Sequence, residues 1–314
     1  MSRLYLTLDA RFRQLVLPNA ELECLYEGGR WLEGPLWLPD GEQLLFSDIP
    51  NDQVLRWVPG VGVGVGVFSR GGFQNGRARD GQGRVLACEH GSRSLVARDL
   101  NGSVSVLASH FQGKRLNSPN DVAVHGDGSI WFTDPDYGIL TDYEGHRAQR
   151  EQEGCWVFRL GAGEREPRAV VTSMTKPNGL AFSPDGRTLY VSESGGSHVP
   201  DTPPEIRRFS VRGAELEPDG VLGTLDCGLP DGLAIDEEGN LWSSAGDGVH
   251  CFAPDGTLLG KLVLGGVTSN LCFGGAKHDR LFITTARRLL CLAVAVRGAR
   301  LLTSAIAAKP SATS

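Results

Sequence analysis

The sequence lacks the features that would place the protein in a membrane, on a secretion route or on a nucleic acid. No stretch approaches the roughly 18 apolar residues that a membrane helix needs. The first 20 residues carry scattered charges and no uninterrupted apolar core, which argues against a secretory signal. A net charge of −6 argues against a nucleic-acid surface, which needs a clustered basic face. We therefore expect a small-molecule partner, with no nucleic acid and no membrane.

Paired cysteines are also absent. The chain has 7 cysteines, an odd number, and they lie far apart without a CxxC pair. This pattern predicts reduced thiols in a cytoplasmic protein, with Cys88, Cys251 and Cys272 as small strand hydrophobes and not as zinc ligands. A hydrophobic content of 40% is sufficient for a substantial core.

Long helical patterns are scarce, while short strands are frequent. The 42 glycines and 17 prolines are spread along the chain and break any long helix. Segments such as SIWFTD, TLYVSE and RLFITT are rich in aromatic and β-branched residues and are typical of strands. The sequence therefore predicts an all-β fold.

One local pattern occurs six times. A Glu, Asn or Asp stands ahead of a short apolar strand, which is followed by a polar turn and a second strand. The distance from this leading residue to the same point of the second strand is always 11 or 12 residues. The six leading residues are Glu33, Asn75, Asn120, Asn178, Asp231 and Asn270.

The spacing of the repeats predicts a six-bladed β-propeller. Successive leading residues are 42, 45, 58, 53 and 39 residues apart, the range expected for four-stranded blades. Inner strands of blades run along the central channel, so the leading residues should meet at one mouth of it. We expect one domain over residues 1–305 and a disordered tail at 306–314. Either the last strand, near RLLCLAVAV, or the N-terminal segment must close the ring.

Two intervals between leading residues contain insertions. The first holds DYGILTDYEGHRAQREQEG and the second holds GGSHVPDTPPEIRR. Both are interpreted as long loops, which are either functional lids or variable surface excursions.

The charges of the six leading residues predict a cation in the channel. Glu33 and Asp231 are acids, and two carboxylates in a narrow channel repel each other unless a proton or cation lies between them. The other four are amides, so all the donors are hard oxygens, which suit calcium, magnesium or manganese. Calcium fits best, with Glu33, Asn120, Asn178 and Asp231 as its expected ligands and Asn75 and Asn270 as more peripheral residues.

Turn formation is the alternative interpretation of part of this set. Asn-Gly and Asp-Gly pairs often form turns, and three such pairs occur here, at Asn75, Asn178 and Asp231. A second turn motif already follows a few residues after these pairs, and Glu33 is not a turn former. These facts favour a metal site.

The repeated motifs resemble the gluconolactonase and regucalcin (senescence marker protein) family. The resemblance spans about residues 30 to 290 and rests on five ordered motifs, EGPLW, SPNDVAVHGDGSIWFTDPDYG, KPNGLAFSPDGRTLYVSES, PDGLAIDEEGNLW and TSNLCFGG. It implies a six-bladed propeller that binds one divalent ion, calcium or zinc, and hydrolyses a sugar lactone. Organophosphate hydrolysis on the same metal and a non-enzymatic metal-binding propeller are the alternatives.

The resemblance also implies roles for individual residues. Glu33 and Asn178 correspond to metal ligands, and Asp231 to a ligand that also serves as the catalytic base or nucleophile. Asn120 corresponds to a residue that contacts substrate or a water on the metal. With Asn120 as the link to the substrate, Asn75 and Asn270 complete the predicted substrate site.

Three further residues are candidates for substrate contact. Regucalcin-like members carry an arginine two residues before the third leading residue, where this chain has Ser118; the nearest arginine is Arg115. The segment ACEHGSRS resembles the bacterial gluconolactonase branch, which brings Glu89 and His90 toward the channel mouth. His90 is alternatively a structural histidine. The expected partner is a lactone, and the expected state is a monomer or weak dimer.

Overall fold

A computed structural model describes residues 4–60 and 64–300 of the chain. The expected tail at 306–314 lies outside these residues. The N-terminal part of the described chain contains two strands and one short helix: β1 Tyr5–Thr7, α1 Phe12–Leu15 and β2 Glu23–Glu27.

Six antiparallel sheets follow one another around a ring, as the repeat predicted. The first two blades and a two-stranded hairpin consist of β3 Leu32–Leu38, β4 Gln43–Asp48, β5 Gln53–Trp57, β6 Val65–Arg70, β7 Gln74–Arg79, β8 Val85–Glu89, β9 Ser94–Arg98, β10 Val104–Ala108, β11 His110–Phe111 and β12 Lys114–Arg115. Blades three and four consist of β13 Val122–Val124, β14 Ile130–Asp134, α2 Tyr137–Leu140, β15 Trp156–Leu160, β16 Arg168–Val171, β17 Pro177–Phe182, β18 Thr188–Glu193, β19 Glu205–Arg212 and β20 Glu215–Thr224. Blades five and six contain β21 Leu233–Ile235, β22 Leu241–Ser244, β23 Gly248–Phe252, β24 Leu258–Val263, β25 Thr268–Gly274, β26 Arg280–Thr285 and β27 Arg288–Ala293.

The N-terminal segment closes the ring. Blade six takes its outer strand from β2, which pairs antiparallel with β27. β1 adds a fifth strand to blade five by pairing with β24. The ring is therefore closed by backbone hydrogen bonds that place β1 and β2 at the outer edges of blades five and six.

In four of the six blades, the hairpin between the first two strands has the same turn chemistry. An aspartate carboxylate accepts hydrogen bonds from backbone amides two or four residues later, as Asp80, Asp127, Asp185 and Asp236 all do. In the last of these turns, Gly239 has φ +85°, a conformation that a side chain would strain. These turns hold the constant distance between leading residue and second strand.

Large aromatic side chains of the second strands fill the space between blades. Trp131 packs against Phe182 of the next blade with ring centroids 5.7 Å apart, and Trp242 packs against Phe273 at 6.1 Å. Both tryptophans are fully buried. Because the contacts cross from blade to blade, they fix the rotation of each sheet about the channel and thus the position of its inner strand.

Two properties bear on the setting of the protein. All seven cysteines are free thiols. No helix in residues 4–60 and 64–300 is long and apolar enough to cross a membrane.

Candidate active site at the channel mouth

The six leading residues form a closed ring of neighbours. A glycine follows four of them, and each glycine lies against the next blade: a Cβ on Gly34 would lie 2.0 Å from Asn75 O, and one on Gly179 would lie 2.0 Å from Asp231 O. Gly76 and Gly232 are crowded in the same way. The glycines thus permit close approach of adjacent inner strands and do not form turns.

β-Bulges and backbone hydrogen bonds to the neighbouring blade set the orientation of the leading side chains. The strand register shifts at the leading residue in β3, β7, β17 and β25, and a bulge re-aims the side chain that follows it. Backbone carbonyls are held by the neighbouring blade: Asn120 O accepts from Gly76 N at 2.8 Å, and Asn178 O accepts from Thr133 Oγ1 at 2.7 Å. The backbone is therefore fixed while the side chains point away from it.

Five of the six leading side chains line one cavity of about 380 Å³. Its lining residues are Trp31, Glu33, Asn75, Asn120, Tyr137, Glu144, Asn178, Ser194, Ser197, Gly228, Leu229, Asp231, Gly246, Val267 and Thr268. This set contains three carboxylic acids and no lysine, arginine or histidine. The volume is that of a small-molecule site.

Glu33 is the more deeply buried of the two predicted acids, with 2% of its surface exposed. Its Oε2 accepts hydrogen bonds from Gly34 N and from Asn270 Nδ2, each at 3.0 Å. Burial raises the pKa of Glu33 to about 8, and the nearby charges of Asp121 and Glu144 act in the same direction. Two hydrogen bonds do not offset the loss of water around this carboxylate.

Asp231 precedes β21 of blade five, two blades from Glu33 around the ring, and its carboxylate is likewise destabilised by burial. Burial holds the pKa of Asp231 well above its ordinary value, and the charge of Glu33 adds to this effect. Within the described part of the chain, no protein group is hydrogen-bonded to the side chains of Asp231, Asn120 and Asn178. Their oxygen atoms are thus available to a ligand.

Asn75 and His90 form a directed pair. His90 is fully buried, and burial lowers its pKa to about 4, so its ring is neutral. His90 Nδ1 donates to the carbonyl oxygen of Glu144 at 3.0 Å, since a carbonyl can only accept. Nε2 is therefore unprotonated and accepts from Asn75 Nδ2 at 3.4 Å. This arrangement leaves Asn75 Oδ1 buried and without a partner in the part of the chain that the structure describes.

The donor set of this cavity fits a hard divalent cation. Without a basic residue in the lining, three acids remain ionised only beside a positive charge, and the cavity offers carboxylate and amide oxygens. The unpartnered Asn75 Oδ1 is a further oxygen that lacks a counterpart. Glu33 and Asp231 provide the charge, and Asn120 and Asn178 provide neutral oxygens for such an ion.

Four predicted residues do not line this cavity: His90, which contacts Asn75 and Glu144, and three residues that lie elsewhere. Asn270 lines a second cavity of about 470 Å³ farther along the inner strands. Its Nδ2 donates to Glu33 Oε2 from outside the first cavity. Glu89 accepts from Gln74 Nε2 and Ser92 Oγ beside another depression of the surface. Arg115 donates to Ser92 O and does not line the cavity. Ser118 is buried, donates to Pro135 O and accepts from Gly138 N, so it fixes the start of α2.

Both insertions contribute residues to the cavity, whereas the sequence did not decide between functional lids and surface excursions. The loop between β14 and β15 supplies Tyr137 and Glu144, and the loop after β18 supplies Ser194 and Ser197. Tyr137 joins the two loops, since its hydroxyl donates to Ser194 O at 3.2 Å. The loop lengths were the available signal, but nothing in the repeat identified the individual residues.

A second group of potential metal ligands lies outside the channel. Asp226, Asp247 and His250 have ligand atoms within 4.8 Å of one another. However, Lys261 Nζ lies 2.5 Å from Asp226 Oδ1 and 3.4 Å from Asp247 Oδ2. The ammonium group forms ion pairs with both acids, so this group is better described as an ion-pair network.

Fold and site together define a six-bladed β-propeller with a cavity of acids and amides at the mouth of its channel. Residues 31–287 match the family described as the SMP-30/Gluconolactonase/LRE-like region. The chain belongs to this family.

Individual relatives agree with this assignment. The chain is 33% identical over 300 residues to a gluconolactonase of Zymomonas mobilis, which covers 87% of this chain and 81% of that protein. It is 28% identical over 265 residues to the pentonolactonase XacC of Haloferax volcanii, covering 81% of each. The solved structure of XC5397 from Xanthomonas campestris, described as a gluconolactonase, superposes with a TM-score of 0.85 at 38% identity, covering 92% of this chain and 94% of that chain.

Proposed function

We propose that the protein is a metal-dependent lactonase that opens the ring of a sugar lactone, of the gluconolactone type, to the free aldonic acid. The enzyme class follows from the family and from relatives that are themselves named gluconolactonase and pentonolactonase. The observation that carries the finer proposal is the cavity with its three acids, three amides and absence of basic residues in the lining.

A lactone is an activated ester, so its hydrolysis needs polarisation of the carbonyl and a positioned water. Polarisation of the carbonyl oxygen and charge balance for Glu33 and Asp231 are what a bound divalent cation, calcium in our proposal, supplies. Zinc, magnesium and manganese are the other candidates. Glu33 holds this charge in place, because Gly34 N and Asn270 Nδ2 fix its Oε2.

Asp231 is the proposed base. Its carboxylate has no hydrogen-bond partner within the described residues and is free to take the proton from the attacking water. Its backbone is rigid, since Asp231 O accepts from Ser192 Oγ at 2.8 Å and Asp231 N donates to Ser244 Oγ at 3.1 Å. Direct attack of Asp231 as a nucleophile is the variant of the same step.

The amides orient the reactants. Asn120 and Asn178 are neutral and 6% exposed, and their side chains have no hydrogen-bond partner among the described residues, so they can donate to the lactone carbonyl or accept from the water. Trp31, Leu229 and Val267 contribute apolar surface to the same cavity and exclude additional water.

A pH-stat assay on a lactone panel tests this proposal. Acid release from glucono-δ-lactone, δ-valerolactone and a phosphotriester would be followed above the uncatalysed rate, after chelation and after adding calcium back. We expect the wild type to hydrolyse lactones, chelation to abolish this activity and added calcium to restore it. The Asp231→Asn variant should be inactive. Asp226→Asn is the matched control, because that aspartate lies outside the cavity. Activity that survives chelation and Asp231→Asn contradicts the mechanism, and turnover of the phosphotriester alone favours the organophosphate alternative.

Other expectations from the sequence remain part of the proposal. We infer a single domain over residues 1–305, a monomer or weak dimer, and a cytoplasmic location in which the free thiols stay reduced.

A further inference from the structure

Glu144 is a cavity acid that the repeat did not predict. It lies in the loop between β14 and β15, and its side chain lines the same cavity as Glu33, Asn75 and Asp231. Among residues 4–60 and 64–300, none donates a hydrogen bond to its carboxylate. The carboxylate therefore faces the cavity as an acceptor without a donor.

The position of Glu144 is fixed by blade two. His90 directly follows the end of β8, and its Nδ1 donates to Glu144 O at 3.0 Å. His90 also accepts from Asn75 Nδ2 through the other ring nitrogen. The buried imidazole of His90 thus orients both Glu144 in the loop and Asn75 at the channel mouth.

Two glycines allow the loop to pack on His90. A Cβ on Gly138 would lie 2.4 Å from His90 Cβ, and one on Gly145 would lie 3.2 Å from it. A Cβ on Gly145 would also lie 2.2 Å from Gly138 O. Because real side chains do not approach this closely, the loop follows its observed course only with glycine at both places.

The result is a wall of hydrogen-bond acceptors. The amide nitrogen of Asn75 donates to His90, so only Oδ1 remains, which is buried and has no partner within residues 4–60 and 64–300. Glu144 adds carboxylate oxygens on the same cavity. Acceptors that face a ligand require donors on that ligand, and unmatched buried acceptors are costly. An unsubstituted lactone offers only acceptors, whereas a polyhydroxylated lactone offers several hydroxyl donors.

We propose that Glu144, together with Asn75 Oδ1, binds hydroxyl groups of the substrate and selects polyhydroxylated over unsubstituted lactones, with His90 as the positioning residue for both. This inference rests on the proposed lactone hydrolysis and deepens it. These acceptors make the site selective, since a site built to bind a hydroxyl group discriminates strongly against an analogue that lacks it.

The test compares two substrates in three variants. kcat and KM would be measured on glucono-δ-lactone and δ-valerolactone for the calcium-loaded wild type, Glu144→Gln and Glu144→Ala. Glu153→Gln is the matched control, since Glu153 lies on the same loop but is exposed, with a 3.6 Å pair to Lys114. We expect kcat/KM on gluconolactone to fall about 10- to 100-fold in both Glu144 variants, the range for a hydrogen bond to a charged group. Activity on δ-valerolactone and the calcium-induced rise in melting temperature should stay as in the wild type.

The outcomes separate this inference from the proposed function. Equal losses on both lactones would overturn the hydroxyl wall, because Glu144 would then act at the reacting atoms or on the fold. A lost calcium response in Glu144→Gln would overturn it too, since Glu144 would be an ion ligand. A wild type inactive on both lactones contradicts the proposed function itself. His90→Asn should reproduce the substrate-selective loss, and an equal loss on both lactones there would overturn the positioning role.

Discussion

Replacing Glu33 by glutamine should stabilise the metal-free protein and abolish its response to calcium. The glutamine Oε1 can still accept from Gly34 N and Asn270 Nδ2, which now share Glu33 Oε2. The substitution therefore removes the buried charge with little change in shape. Its effect on the free energy of unfolding should depend on pH, because burial raises the pKa of Glu33 to about 8.

The sign and size of this effect follow from the linkage between protonation and folding. A carboxyl group whose pKa is raised in the folded state favours folding fully below its unfolded pKa, and this contribution is lost as pH rises through the folded pKa. For Glu33 the window runs from the ordinary value of 4.5 to about 8. At pH 7 the free energy of unfolding of the wild type should therefore be lower than that of the variant by about 3 kcal/mol. For a chain of this length this corresponds to about 5 °C in melting temperature.

Differential scanning calorimetry at pH 5 and pH 8 measures this prediction. With chelator, Glu33→Gln should melt higher than the wild type at pH 8 and close to it at pH 5. With calcium at about 100 times its Kd, the free energy of unfolding of the wild type should rise by about 2.7 kcal/mol, and that of the variant should not change. Glu153→Gln, with an exposed side chain, should follow the wild type throughout. A variant that melts lower than the wild type at pH 8, or that still responds to calcium, refutes the reasoning.

Three further perturbations have defined outcomes. Asp231→Asn should lower kcat on gluconolactone at least about 100-fold, the scale of a lost general base, with an unchanged circular dichroism spectrum. Asp247→Asn should leave the calcium-induced shift in melting temperature intact, because Lys261 already balances that acid; a lost shift would move the ion to the Asp226 cluster. Gly138→Ala should destabilise the protein by about 1–3 kcal/mol in chemical denaturation, because the added methyl group meets His90, and an unchanged midpoint would contradict the packing.

The architecture and most of the ring could be predicted from sequence because both depend on a repeated spacing. An interval of 11 or 12 residues between a polar residue and a second strand gives equivalent positions in every blade. The structure confirms six blades and brings Glu33, Asn120, Asn178 and Asp231 into one cavity. It also explains the glycines that could have been turn formers, since Gly34 and its equivalents make room for the next blade.

Other features depend on contacts that the repeat does not encode. Asn270 has the spacing of its equivalents, yet its amide bonds Glu33, so it supports the cavity without lining it. Glu144 lies in the insertion of blade three, outside the repeated pattern, and its position depends on His90 from blade two. The closure by β2 was undecidable from sequence because outer strands carry no distinctive residue.

The most direct test of the central claim is the position of the ion. A crystal of the calcium- or manganese-loaded protein would be examined for anomalous difference density. We predict one peak at the channel mouth, with carboxylate oxygens of Glu33 and Asp231 at about 2.3–2.6 Å for calcium. A peak beside Asp226, Asp247 and His250, or a cavity without a peak at saturating ion, would contradict the account.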